Sequence, residues 1–211
     1  MQRADGYLLN SDDFLLPGAI GRLRTAWQEN PDADVLLFRG WMVDGDGRPL
    51  REMVPTPLSV NALVHGRAVI VQQGFSFRMS TFRDIGGFNP CNCSCWDYEI
   101  LCQLAQRRVG FRLCRDRIGV FRLHSGSLTG GVAGSAHEAR YREDLERVHR
   151  NVLGRDPVWL MRLYRALGPA IKYLKQPTQA LALAESRLLS RRLARRWQAD
   201  NRDSKTERLF G

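Results

Sequence analysis

The chain has 211 residues, 44% of them apolar and 26% charged, the profile of an ordinary soluble protein with enough length for one sizeable core. No run of 18 or more apolar residues is present, which excludes a membrane-spanning helix, and the start MQRADGYLLNSDD lacks the basic, apolar and small-residue zones of a signal peptide. The net charge of +10 belongs mainly to the last third: residues 1–133 hold 15 Arg and Lys against 13 Asp and Glu, whereas residues 134–211 hold 17 against 9.

In chain order, Tyr7, Leu8 and Leu9 read as the end of a buried strand, Asn10 to Asp13 as a turn, and Pro17 to Gly18 as the start of a helix through Ala19 to Trp27. Acidic residues at the carboxyl end of such a strand are well placed to hold a divalent cation. Ser11, Asp12 or Asp13 also fits the plainer role of helix cap. After the helix, which Asn30 and Pro31 stop, ADVLLFRGWMVDGDGRPLR reads as a strand, a turn at Asp44 to Gly47 and a return. Val35, Leu36, Leu37 and Phe38 form a near-continuous apolar run, as in strands covered on both faces. The DGDG tip reads as a hairpin turn rather than a calcium loop.

A loop with Pro55 and Pro57 leads to a short helix at Ser59 to His65, then to a second apolar strand region, AVIVQQGFSFRMS, and a short helix, TFRDIGGFNP, closed by two glycines. CNCSC is a loop. Five cysteines, an odd number without an export signal, imply reduced thiols, and CNCSC lacks the paired CxxC spacing of a zinc site. WDYEILCQLAQRRVG reads as a helix that Gly110 ends, and FRLCRDRIGVFRLHSGSLTGG as a strand or hairpin running into a Ser/Gly/Thr loop. From about Ser135 the segments are helical and Arg-rich, and the last is amphipathic, fitting either a solvated face or a surface for anionic lipid or a second subunit.

The ordered set NSDD, PGAI, PDADVLLFRG with DGDG, FSFR, IGGFN, WDYEI and FRLHSGSLTG resembles the family 2 glycosyltransferases of the GT-A fold over about 125 residues. That resemblance implies an α/β class, with a partial GT-A domain at 1–131 and a basic helical extension at 132–211. Members of the family usually open with a VSVIIPTYN-type strand and a parallel half that grips the nucleotide, so the chain resembles the second half of such a domain. The implied activity is an inverting, metal-dependent transfer of a sugar from a nucleotide-diphospho-sugar to a glycan or lipid-linked acceptor. The implied setting is polysaccharide or glycolipid assembly in the cytoplasm or at the inner face of the membrane.

Carried over by position, Asn10, Asp12 and Asp13 match the DxD segment that binds the nucleotide diphosphate. Asn10 stands where an aspartate is frequent, Asp12 is the metal-binding acid, and Asp13 helps to fix the turn. Asp97 matches the catalytic base, with Trp96 where an acid often precedes it and Gln103 where an arginine is frequent. His124 completes the implied site for Mn2+ or Mg2+. Gln72, Gln73, Phe77 and Arg78 match the strand bordering the acceptor pocket, and Glu99 is a structural or acceptor-orienting carboxylate.

Plainer readings stand beside these: Asp97 as a cap and His124 as a loop histidine. The alternative function is a non-catalytic module that binds a protein or a membrane through its basic helices. Nucleic-acid binding is not expected, because the Arg-rich tail has no reader motif and little aromatic interleaving.

Overall fold

A computed structural model describes residues 5–65, 67–123 and 136–154, with side chains from residue 139 in the last segment. It is a mixed α/β structure. Six strands form one sheet, β1 (Asp5–Tyr7), β2 (Phe14–Leu15), β3 (Val35–Asp44), β4 (Pro49–Met53), β5 (Phe75–Arg78) and β6 (Phe111–Leu123). The order is β1-β5-β3-β6-β2, with β4 pairing β3 beyond β5. The β3–β6 pair is parallel and the other pairs are antiparallel.

The centre of the sheet follows from the apolar run in β3. Successive side chains of a strand point to opposite faces. Val35 and Leu37 therefore enter one core with Phe75, Phe77, Ile100, Leu101 and Leu104, while Leu36 and Phe38 enter another with Ala26, Trp27 and Ile118. The first core lies beneath α4 (Trp96–Gln106) and the second beneath α1 (Ala19–Glu29). Trp27 is fixed on β5 by donating from Nε1 to Ser76 Oγ at 3.0 Å.

Local signals set the shorter elements. Ser59 Oγ accepts from the Ala62 N–H at 3.1 Å and starts α2 (Val60–Val64). At the hairpin tip Asp44 Oδ1 accepts from the N–H groups of Asp46 and Arg48, and Gly47 turns the chain at φ 82°. The tip is thus a self-contained turn. Gly86 and Gly87, both at positive φ, follow α3 (Met79–Asp84).

Three expectations need correction, and one element was not foreseen. The first strand ends at Tyr7, so Leu8 and Leu9 lie beyond it, and Leu9 is exposed. The apolar stretch from Ala68 is not strand throughout: Gln72–Gly74 form a 3-10 turn, and only Phe75–Arg78 pair in the sheet. A Cβ on Gly74 would overlap the carbonyl oxygen of Phe38, one on Gly119 would overlap that of Gln73, and one on Gly40 would lie 2.7 Å from that of Gly119. Three glycines thus let this turn lie directly across β3 and β6. The short strand β2, which pairs Phe14 and Leu15 with Val120 and Gly119, carries no period of its own and was not expected. The helix after Trp96 ends at Gln106, where Arg108 rather than Gly110 takes the left-handed conformation at φ 55°. Gly110 instead donates its N–H to Asp34 Oδ2 at 2.7 Å.

The FRLCRDRIGVFRL segment is one strand of 13 residues. Beyond it, α5 (Ala136–Arg147) and a π-helical turn (Val148–Val152) bring Val148 and Leu153 into a third core with Leu63, Val64, Cys95 and Cys102. The start of the basic segment is therefore packed on α2 and α4. The later helices expected from the sequence lie outside the described residues. Among the described residues no helix is long and apolar enough to cross a membrane.

The glycine crossing generates a stability prediction. Gly119→Ala places a methyl group against backbone rather than a movable side chain, so unfolding in urea should show a loss of about 3 kcal/mol. Gly21→Ala, at a helical position with open space around it, should be neutral or stabilising in the same titration.

Candidate functional site

The turn after β1, the 3-10 turn, the β3–β4 hairpin and the first turn of α4 surround a cavity of about 620 Å³. Asn10, Ser11 and Asp12 line it from the first turn, and Gln72 and Gln73 from the second. Ser94, Cys95, Trp96, Asp97 and Tyr98 line it from the start of α4, and Tyr141 from α5. Met42, Arg51, Met53 and Phe121 complete it from the sheet.

The turn Asn10 to Asp13 is held by Asp13, whose side chain is buried. Its Oδ2 accepts from Gln73 Nε2 at 2.7 Å and from Asn10 Nδ2 at 3.1 Å, and its Oδ1 accepts from the Arg122 N–H at 3.0 Å. Asn10 Nδ2 also donates to Gln72 Oε1 at 3.2 Å, and Gln72 Nε2 donates to the Leu8 carbonyl at 3.0 Å. Both oxygens of Asp13 are thus engaged inside the protein, and the turn directs Asp12 to the cavity. The Tyr7 hydroxyl donates to the Gln73 carbonyl, and burial together with the neighbouring Asp13 raises its pKa above the ordinary tyrosine value.

Asp97 is the second residue of α4, inside its first turn rather than at its cap position, which is Cys95. Its Oδ1 accepts from the Tyr98 N–H at 2.8 Å. A helix N-terminus favours a negative charge, but desolvation of the carboxyl outweighs this, and the pKa of Asp97 is raised. Tyr98 anchors the same turn: its hydroxyl donates to the Leu63 carbonyl at 3.2 Å and lies 3.1 Å from His149 Nε2.

The loop before α4 is held by two buried carboxylates. Glu99 Oε1 accepts from Asn89 Nδ2 at 2.9 Å, and its Oε2 accepts from Asn92 Nδ2 at 2.6 Å. Asp144 Oδ2 accepts from the Ser94 hydroxyl at 2.6 Å and from the N–H groups of Cys93 and Ser94, while its Oδ1 accepts from Arg147 at 2.7 Å. Burial alone would raise the pKa of Asp144, but the Ser94 and Arg147 bonds outweigh it and the pKa is lowered. Burial pushes the Cys95 thiol up to about 11 against the lowering contact from Asn92, so at neutral pH it is protonated and no nucleophile.

Of the expected site residues, Asn10, Asp12, Gln72, Gln73, Trp96 and Asp97 meet at this cavity. Asp13 and Glu99 support its walls from within. Arg78 belongs elsewhere: its guanidinium donates to the carbonyls of Ala33 and Pro31, pairs with Asp5, and stacks 4.0 Å from the Trp27 ring centre. Phe77 is in the core. His124 lies outside the described residues. Among the described residues no group of three His, Cys, Asp or Glu side chains is disposed to hold a metal ion. Asp12 suits Mg2+ or Mn2+ as a hard oxygen ligand, and Asp13, with both oxygens engaged, does not add a second.

Sequence reasoning missed Arg51, Met53, Tyr98 and Tyr141 as lining residues. For the first two a signal existed, because positions 51 and 53 share one face of a strand. No family model matches the chain, and no curated protein matches it either.

Two stability predictions follow from the carboxylates. Asp144→Asn removes a buried acceptor of three bonds to the loop and should cost about 1–3 kcal/mol at pH 7. Because the folded-state pKa is lowered, this contribution is present above the unfolded pKa of about 3.9 and fades as pH falls through the folded value. Urea titrations at pH 7 and pH 3 should therefore show the gap between variant and parent narrowing. Asp97 has the opposite sign: its folded pKa is raised, so ionising it with rising pH weakens the fold. Asp97→Asn should leave stability at pH 7 unchanged or higher in the same titration.

Proposed function

We propose that the described sheet is part of a GT-A glycosyltransferase domain of the family 2 type, and that its cavity serves an inverting, metal-dependent sugar transfer. The donor would be a nucleotide-diphospho-sugar and the acceptor a glycan or lipid-linked hydroxyl. The single observation that carries this reading is the meeting of Asp12 and Asp97, remote in sequence, at one cavity of about 620 Å³ with aromatic walls.

Asp97 accepts the proton of the acceptor hydroxyl as that oxygen attacks the anomeric carbon. The bond from that carbon to the diphosphate oxygen breaks, and the leaving diphosphate takes the electron pair. Attack on the side opposite the leaving group inverts the anomeric centre. A pKa raised by desolvation brings Asp97 nearer to the working pH of a general base than an ordinary carboxylate. Asp12 would hold the cation, with His124 as the partner that the sequence implies, and the cation would neutralise charge developing on the diphosphate. Asp13 and Gln73 keep Asp12 oriented, because their bonds fix the turn that carries it. Trp96, Tyr98, Phe121 and Tyr141 offer the flat apolar surfaces against which the C–H faces of sugar rings pack.

The test is transfer or hydrolysis of UDP-sugars in the presence of Mn2+. Asp97→Asn should lower kcat by roughly 10²–10⁴ with folding intact. Activity of the parent should rise with pH through a value above the usual carboxylate range of about 4 and be lost on chelation. An Asp97→Asn protein that turns over at the parental rate would sink the assignment.

A further inference from the structure

The hairpin strands β3 and β4 carry a charge arrangement with one member left over. Asp44 and Asp46 at the tip are engaged by Arg48, with Nη1 3.1 Å from Asp46 Oδ2 and 3.9 Å from Asp44 Oδ2. Glu52 is buried, and its Oε1 lies 2.8 Å from Arg117 Nε and 3.5 Å from Arg39 Nη1. The carboxylates of the hairpin are thus matched by Arg39, Arg48 and Arg117. Arg51 is different. It alternates with Glu52 along β4, so it leaves the sheet on the opposite face, where with Met42, Met53 and Phe121 it lines the cavity. Its side chain is exposed and makes no ion pair or side-chain hydrogen bond among the described residues, and it is the one cation lining the cavity there.

An arginine fork beside apolar side chains, with the acids of its own hairpin already committed, is a recognition group for a carboxylate or a phosphate ester. We propose that Arg51 binds an anionic substituent on the sugar that enters this cavity, so that the preferred acceptor is an acidic or phosphorylated saccharide rather than a neutral one. Calling that sugar the acceptor rests on the transferase reading; the recognition of the anion does not. The Met42, Met53 and Phe121 side chains lay apolar surface beside the contact, against which the Arg51 stem and a sugar ring can pack. On the same cavity Asp12 and Asp97 repel an anion, which fixes the orientation of a sugar that carries one.

The full chain is titrated by NMR with glucuronate, glucose 6-phosphate, glucose and inorganic pyrophosphate, without nucleotide or metal. Glucuronate or glucose 6-phosphate, or both, should bind about tenfold tighter than glucose, the scale of one charge-assisted contact. The anion that gains identifies the carboxylate or the phosphate as the source. Arg51→Gln should reduce that preference to about twofold, while Arg48→Gln, on the paired arginine of the same hairpin, should leave it in place. Equal binding of the three sugars, an anion preference that survives Arg51→Gln, or its equal loss in Arg48→Gln would overturn the proposal. Pyrophosphate binding through Arg51 more tightly than either sugar anion would assign the residue to the leaving diphosphate and overturn the acceptor assignment. Since this titration involves no turnover, the transferase reading can fail with anion recognition intact, and the reverse.

Discussion

The structure depends on the close passage of the Gln72–Gly74 turn over β3 and β6. A backbone can approach another this closely only where side chains are missing, and Gly40, Gly74 and Gly119 supply the gap. The approach delivers Gln73 to Asp13, and Asp13 in turn reaches the Arg122 N–H on β6. One carboxylate thus joins three segments distant in sequence, and Asp12 takes its position from that junction.

Three acidic residues around the cavity illustrate how environment divides chemically equal groups. Asp13 and Asp144 are buried with both oxygens accepting hydrogen bonds that tie separate segments together, and those bonds hold the pKa of Asp144 down. Asp97 is desolvated, with only backbone N–H groups, those of Tyr98 and its own, to offset the burial. A charge kept in such a place weakens the fold, and an arrangement of that kind is characteristic of sites where reactivity rather than stability shaped the surroundings. The cost is tolerable because α4 is anchored on both sides, by Leu101 and Leu104 in the sheet core and by Tyr98 on Leu63 and His149.

Elements governed by local chemistry were legible in the sequence. The apolar run at Val35 to Phe38, the Ser59 cap, the Asp44 turn and the paired glycines after α3 each carry their own cause within a few residues. Elements governed by distant contacts were not. Nothing near Gln72 announces a 3-10 turn, because the reason for it is the Phe38 carbonyl and Gly119 on other strands. The same division runs through the site. Asp12, Trp96 and Asp97 reach the cavity because they stand at the ends of regular elements, where open sheets collect ligands. Arg78 carries the same side chain as a ligand-binding arginine but is consumed by Asp5, Ala33, Pro31 and Trp27, at sequence separations that no local pattern encodes. Arg51 is the reverse case: its neighbours take the acids of its own hairpin, and only the pairing of those neighbours reveals that it is spare.

The segment Asn89 to Cys95 would ordinarily be the adaptable part of such a cavity. Here Glu99 holds Asn89 and Asn92, and Asp144 holds Cys93 and Ser94, from two different helices. The conformational entropy of this rim is already lost when the chain folds, so a ligand does not have to lose it again. Discrimination between ligands is therefore enthalpic and geometric, set by what a rigid rim can touch. A binder that needs the rim to move must first break buried charge-assisted bonds, which makes such binding slow as well as weak.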